Sequence, residues 1–173
     1  MIKRSFTPFP TLTTGRLTLR RLVVNDEQAI FILRSDKEVN KHLARELSKT
    51  VDDARAFINS VNENVDKNES LYWAITLGER DMLVGTICIF GFSDENDTCE
   101  IGYELLTEFQ GQGIMKEAVE KVIDYAFNTL KIKRIEAFLH RDNQRSVLLL
   151  EKCSFTKDPG LINPDLVCYR LEN

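Results

Sequence analysis

Two hydrophobic periods alternate along the chain, and its elements begin and end where one period gives way to the other. Arg16-Leu17-Thr18-Leu19-Arg20 alternates polar and apolar side chains, the period of two of a half-buried strand. Asn25 and Asp26 offer an N-cap before the apolar run Ala29-Ile30-Phe31-Ile32-Leu33, which predicts a first helix. Thr50 and Asp53 have capping-box spacing, with Asp in place of the longer Glu or Gln. Ala54, Phe57, Ile58, Val61 and Val65 follow at helical spacing. Leu71 to Leu77 and Met82 to Phe90 are rich in β-branched and aromatic residues and flank the turn Gly78-Glu79-Arg80-Asp81, a hairpin pattern. A third strand, Thr98 to Leu106, follows the acidic loop Asp94-Glu95-Asn96-Asp97.

The helical period returns from Gly113 to about Leu130, where Ile114, Ala118, Val122, Ala126 and Leu130 form a stripe broadened by Val119, Ile123 and Phe127. Arg134 to His140 reads as a strand, Asp142 or Asn143 caps a short helix running through Cys153, and Val167 to Leu171 is a last strand. The resulting order is β-α-α-β-β-β-α-β-α-β, a single α/β domain over residues 1–173. Its sheet is expected to be mixed, because hairpins are antiparallel while a strand-helix-strand crossover is parallel.

Composition narrows the function classes. A length of 173 residues suits one domain able to bury roughly 70% of its unfolded surface without a disulfide or metal staple. No apolar run approaches the ~20 residues of a bilayer span. The start, Met1-Ile2-Lys3-Arg4-Ser5-Phe6, lacks the apolar core of a secretory signal, so a cytoplasmic protein without membrane association is expected. Cys88, Cys99, Cys153 and Cys168 stand singly, with only His42 and His140 as companions. That spacing is not a zinc pattern, and four reduced thiols and no metal are expected. A formal charge of -4 disfavours a nucleic-acid partner and suits a cationic substrate. The acidic loop is better read as a solvated turn than as an amine trap.

The chemistry concentrates in Glu100-Ile101-Gly102-Tyr103-Glu104-Leu105-Leu106 and in Gln110-Gly111-Gln112-Gly113-Ile114-Met115, which opens the long helix. A glycine-bearing loop at a helix start leaves several N–H groups without acceptors at the positive end of the helix dipole, a favourable place for phosphate oxygens. Lys116 stands where a dinucleotide fingerprint needs a third glycine, and the Gly-Lys-Ser/Thr of a P-loop is absent. Glu100 and Glu104 lie four residues apart on a strand and so share a face, which makes Glu100 the first candidate for a general base and Glu104 the second. Each reads equally well as an exposed strand carboxylate. Trp73, Phe90, Phe92 and Tyr103 are core candidates that could also line an acceptor pocket. His140, without a visible partner, reads as structural.

The loop Gln110 to Met115 resembles the pyrophosphate motif of the GNAT acetyltransferases, Gln/Arg-x-x-Gly-x-Gly/Ala. The Gly111-x-Gly113 pair and Glu117-Ala118 are similar to the RimJ/RimL branch. Asn143 to Phe155 resembles that branch's N-x-x-S-x-x-x-x-E-K-x-G-F segment, and Leu12 to Arg20 its opening T-x-R-L-x-L-R strand. The resemblance implies acetyl-coenzyme A as co-substrate, bound by Leu105, Leu106, Gln110, Gly111, Gln112, Gly113, Ile114, Met115 and Asn143. It also implies a bulged strand before the phosphate loop that diverges from its neighbour to admit the pantetheine arm. The implied acceptor is a primary amine, foremost a protein N-terminus, with a small-molecule amine as the alternative and a homodimer as a further partner. Ser146 is implied near the sulfur, since the position where many members carry a tyrosine is Leu150. Two positions depart from the pattern. Met115 replaces Gly or Ala, so its side chain points away from the phosphates or weakens binding; together with the absent tyrosine it suggests a binding module without catalysis as an alternative function. Ser154 replaces a glycine, where a positive φ would cost roughly 1–2 kcal/mol.

Overall fold

In the computed structural model, which describes residues 4–173, eight strands join in one sheet of order β1-β2-β3-β4-β5-β6-β8-β7. The strands are Leu12–Thr13 (β1), Leu17–Arg21 (β2), Leu71–Leu77 (β3), Met82–Ser93 (β4), Thr98–Leu105 (β5), Arg134–His140 (β6), Thr156–Asp158 (β7) and Leu166–Glu172 (β8). The helices are Glu27–Ser35 (α1), Val51–Asp66 (α2), Ile114–Asn128 (α3) and Gln144–Lys152 (α4). All pairings are antiparallel except β5 with β6, which the α3 crossover joins in parallel. The expected mixed sheet and element order hold, with β1 and β7 added at its two edges. The segment Met1 to Lys3 lies outside the described residues.

The two faces of the sheet carry separate cores. Leu17, Leu19, Trp73, Ile87, Ile89, Ile101 and Leu105 project to one side, where the stripe Ile114, Met115, Ala118, Val119, Val122 and Ala126 of α3 covers them. Each fully buried Val or Ile there stabilises by about 1.5–3 kcal/mol. On the other side Leu22, Ala74 and Leu83 meet Ile30 of α1 and Ala54, Ile58 and Val61 of α2. Trp73 therefore belongs to the core, with its indole N–H donating to Pro10 O at 2.7 Å. Phe92 packs at the edge of that core, whereas Phe90 stands exposed on the second face.

The α2 cap forms as its spacing predicts. The Asp53 N–H donates to Thr50 Oγ1 at 3.1 Å, and the Thr50 N–H donates to Asp53 Oδ2 at 3.0 Å. The cap expected for α1 does not form: Asp26 is buried and turned to Arg20, whose guanidinium donates to both its oxygens at 2.8 and 2.9 Å. A two-bond charged pair outweighs one helix cap. The acidic loop is a turn with its aspartates paired inside the chain, Asp94 with Arg4 and Asp97 with Lys133. Among the described residues no helix is long and apolar enough to cross a membrane.

Candidate active site

β5 and β6 pair only over Thr98/Arg134, Cys99/Ile135 and Glu100/Glu136; beyond that point the two strands part. Each keeps its outer neighbour, β5 pairing with β4 as far as Leu105 and β6 with β8 as far as His140. Backbone direction alternates along a strand. The Leu106 N–H donates to Val84 O on the β4 side, so Leu105, Tyr103 and Ile101 turn their backbone groups toward β6; the Glu100/Glu136 pair takes the Ile101 N–H and the Gln110 side chain takes Leu105 O, which leaves the Leu105 N–H and both Tyr103 groups open to the parting. By the same rule the Arg141 N–H, bonded to Asp165 O, turns the groups of Phe138 and His140 toward β5. Buried backbone groups are nearly always satisfied, so two facing rows of this kind are a slot for an extended ligand carrying amides.

Two details differ from what the resemblance implies. Leu106 falls outside the free set, because its N–H is held by Val84 and its C=O by the Phe109 N–H. The bulge is not in β5, which stays in register with β4 from Glu100 to Leu105; it lies in β4 between Phe90 and Ser93, where Gly91 takes φ +60°. The parting opens where the β5–β6 pairing ends, without a bulge in β5.

Beyond β5 the loop turns into α3. Gly113 occupies the cap position with φ +77° and no side chain caps the helix. The first intrahelical bond is Glu117 N–H to Gly113 O at 3.1 Å, so the N–H groups of Ile114, Met115 and Lys116 have no helical acceptor. Met115 is 7% exposed and packs into the core beneath α3, away from that open end. Side chains brace the loop: Gln110 donates to Leu105 O at 3.0 Å and accepts from Arg145, and Gln112 donates to Glu108 O at 3.0 Å. Arg16 reaches Gln112 O at 3.0 Å and Glu117 at 2.7 Å, which ties β2 to the start of α3. Gly111, φ +75°, has open space around it.

Glu100 sits at the fork, in the last pair before the strands separate, opposite Glu136. Among the described residues it makes no hydrogen bond or ion pair. Burial, helped by Glu136, raises its pKa above the ordinary carboxylate value. Glu104 is engaged instead: only 8% of its side chain is exposed, and Arg45 grips both oxygens, one at 3.2 Å. Thr86 stands 3.4 Å from the same carboxylate. Across the parting, Asn143 caps α4 by accepting from the Ser146 N–H at 3.2 Å, and the Ser146 hydroxyl meets the Tyr103 hydroxyl at 2.5 Å.

A family model for the acetyltransferase (GNAT) domain matches residues 16–156. The chain belongs to the GNAT acetyltransferases. It is 38% identical over 153 residues to the uncharacterized N-acetyltransferase p20 of Bacillus licheniformis, covering 88% of this chain and 85% of that one. It is 27% identical over 166 residues to the ribosomal protein uS5-alanine N-acetyltransferase of Escherichia coli, covering 90% and 82%. In fold it matches the microcin C7 self-immunity acetyltransferase MccE, solved with acetyl-CoA and AMP, at a TM-score of 0.82 and 22% identity over 92% and 94% of the two chains. The protein is thus an acetyl-CoA-dependent N-acetyltransferase of GNAT type.

The GNAT frame brings most of the sequence-selected residues to one place. Glu100, Tyr103, Leu105, Gln110 to Met115, Asn143 and Ser146 all border the parting or the α3 start. Two contacts escaped sequence reasoning. Arg45, in the loop between α1 and α2, reaches Glu104, and His42 of the same loop stacks on His140 with ring centroids 5.5 Å apart. The loop thereby touches both parted strands. No spacing in the sequence announces either contact; an arginine and a histidine in a loop without apolar period were the only signal.

Proposed function

We propose that the chain transfers the acetyl group of acetyl-CoA to the N-terminal α-amine of a protein in the cytoplasm. The thioester would lie between β5 and β6, with its phosphates at the N-terminus of α3. The observation that carries this reading is the parting itself: two strands that stay paired on their outer edges present free backbone groups to each other beside an uncapped helix start. The family's phosphates suit such a start because it offers oriented N–H donors and a positive dipole end.

Direct attack by a neutral amine places negative charge on the thioester oxygen, and strand N–H groups pointing across the parting can stabilise it. Glu100, free of partners among the described residues and with a raised pKa, takes the amine's proton directly or through water. The C–S bond then breaks with its electron pair on sulfur, and the Ser146 hydroxyl donates a hydrogen bond to the departing thiolate. Glu104, locked by Arg45, holds the loop between α1 and α2 and is second to Glu100 as base. Asn143 and the Gln110–Met115 loop hold the cofactor.

An α-amine, with a pKa near 7.7–8.0, is substantially neutral at physiological pH, which suits a base as weak as a carboxylate better than a polyamine does. The likeness to the uS5-alanine enzyme supports the same acceptor class, and the exposed Phe90 and Phe138 leave room on the second face for a chain rather than a small amine. The inward packing of Met115 removes one reason for a binding module without catalysis. The test is thiol release from acetyl-CoA over a panel of peptides with free N-termini, polyamines and amino sugars. The expected result is release driven by peptides; release driven only by small amines would contradict the acceptor, and coenzyme binding without acceptor-dependent release would contradict catalysis.

A further inference from the structure

In many members of the family a tyrosine on the last helix attends the leaving sulfur, and here that position is Leu150, fully buried in the core and unable to offer a hydroxyl. A phenol nevertheless reaches the region from the opposite side. Tyr103 projects from β5 where the strands have parted, and its hydroxyl lies 2.5 Å from Ser146 Oγ in the first turn of α4. This bond joins the two walls of the parting.

We propose that Tyr103 is a positioning residue that turns the Ser146 hydroxyl hydrogen toward the departing sulfur. The inference rests on the reading in which acetyl-CoA occupies the parting. Of the two hydroxyls the phenol is much the stronger acid, so the shared hydrogen is donated from Tyr103 to Ser146 Oγ. That leaves the serine's own hydrogen for a third group. Among the described residues the Ser146 hydroxyl has no hydrogen-bond partner besides Tyr103, while its N–H donates to Asn143 Oδ1. Burial pushes the Tyr103 phenol up to about 12, against the lowering effect of Ser146, so the donor keeps its hydrogen throughout the physiological range. The chain O–H···O–H···S is polarised in one direction, and hydrogen bonds aligned this way reinforce one another.

The bookkeeping of the step is closed without an added reactant. The amine nitrogen forms a bond to the acetyl carbon, the C–S pair goes to sulfur, and the amine's proton goes to Glu100. The thiolate, stabilised by Ser146, takes its proton from water on release. Neither Tyr103 nor Ser146 changes its protonation state over the cycle.

The experiment is a double-mutant cycle with Tyr103→Phe and Ser146→Ala, measuring maximal thiol release at saturating acetyl-CoA and separately the affinity for coenzyme A. Tyr103→Phe keeps the ring, and its kcat is expected to fall roughly tenfold, the upper end of the effect of one hydrogen bond between neutral groups, with coenzyme A affinity within two-fold. Ser146→Ala should fall at least as far, and Tyr103→Phe should cost nothing more once Ser146 is gone. Three results would overturn the inference: an unchanged rate in Tyr103→Phe, an unchanged rate in Ser146→Ala, or the same further loss in the Ser146→Ala background, which would make the phenol's role one of packing. A wild-type protein that binds coenzyme A but releases no thiol with any amine would contradict the proposed function itself, a failure separate from these three.

Discussion

Glu100 carries a conflict between stability and function that can be measured from both sides. Its carboxylate is held at a fork beside Glu136, and burial raises its pKa. A carboxylate with a folded-state pKa above its unfolded value lends stability only while protonated, and that stability is lost as pH rises through the folded value. Glu100→Gln is therefore expected to melt higher than wild type near pH 7, with the gain vanishing below the ordinary carboxylate value of 4.5. The same variant should lose roughly 10²–10⁴-fold in kcat, the effect of removing a positioned base, with coenzyme A affinity within a few-fold. The kinetic loss should shrink at higher pH, where more of the amine is already neutral. Equal rates in variant and wild type near neutral pH would return Glu100 to a structural role. Ser154 offers a second reading at this scale. It holds φ +68°, the conformation a glycine adopts freely, so the turn takes a glycine's backbone at the serine's expense. Ser154→Gly should stabilise by about 1 kcal/mol and raise Tm by a few degrees; a lower Tm would show that the serine side chain contributes more than its strain costs.

Among the elements, the turn into α3 is the most constrained. Gly113 has φ +77°, and a Cβ there would stand 3.4 Å from Arg16 Nη2, the residue that braces the loop. In Gly113→Val a β-branched side chain at positive φ costs about 1–2 kcal/mol. Relief of that strain by turning the helix start is expected to lower coenzyme A affinity roughly tenfold or more, as read by titration calorimetry. Unchanged affinity would place the phosphates elsewhere. The elements were largely legible from pattern: Arg134–His140 is a strand as read, Asn143 is the α4 cap, and the Thr50–Asp53 box forms. β1 and β7 were not legible, because Leu12–Thr13 and Thr156–Asp158 are too short for a period and exist only by pairing with β2 and β8. The α1 cap was misread for a related reason. Asp26 looks like a cap locally, and only the sheet brings Arg20 against it. Candidate residues on β5, α3 and α4 could be picked out because motif and element coincide. Arg45 and His42 could not, since their partners Glu104 and His140 lie on strands that only the fold brings to that loop.

For the whole molecule the central claim is that the parting between β5 and β6, together with the start of α3, is the acetyl-CoA site. A ligand that binds only the native state stabilises it by about 2.7 kcal/mol at a hundred times its dissociation constant, so acetyl-CoA should raise Tm. That shift reports binding without location. The most direct measurement is amide hydrogen exchange, residue by residue, with and without saturating acetyl-CoA. The prediction is slowed exchange at Tyr103 and Leu105 on β5, at Phe138 on β6 and at Ile114 to Lys116, whose N–H groups have no partner in strand or helix among the described residues. Residues paired on the outer edges, such as Glu104 toward β4 and Leu139 toward β8, should change less. A raised Tm accompanied by unchanged exchange at the parting and the α3 start would contradict the account.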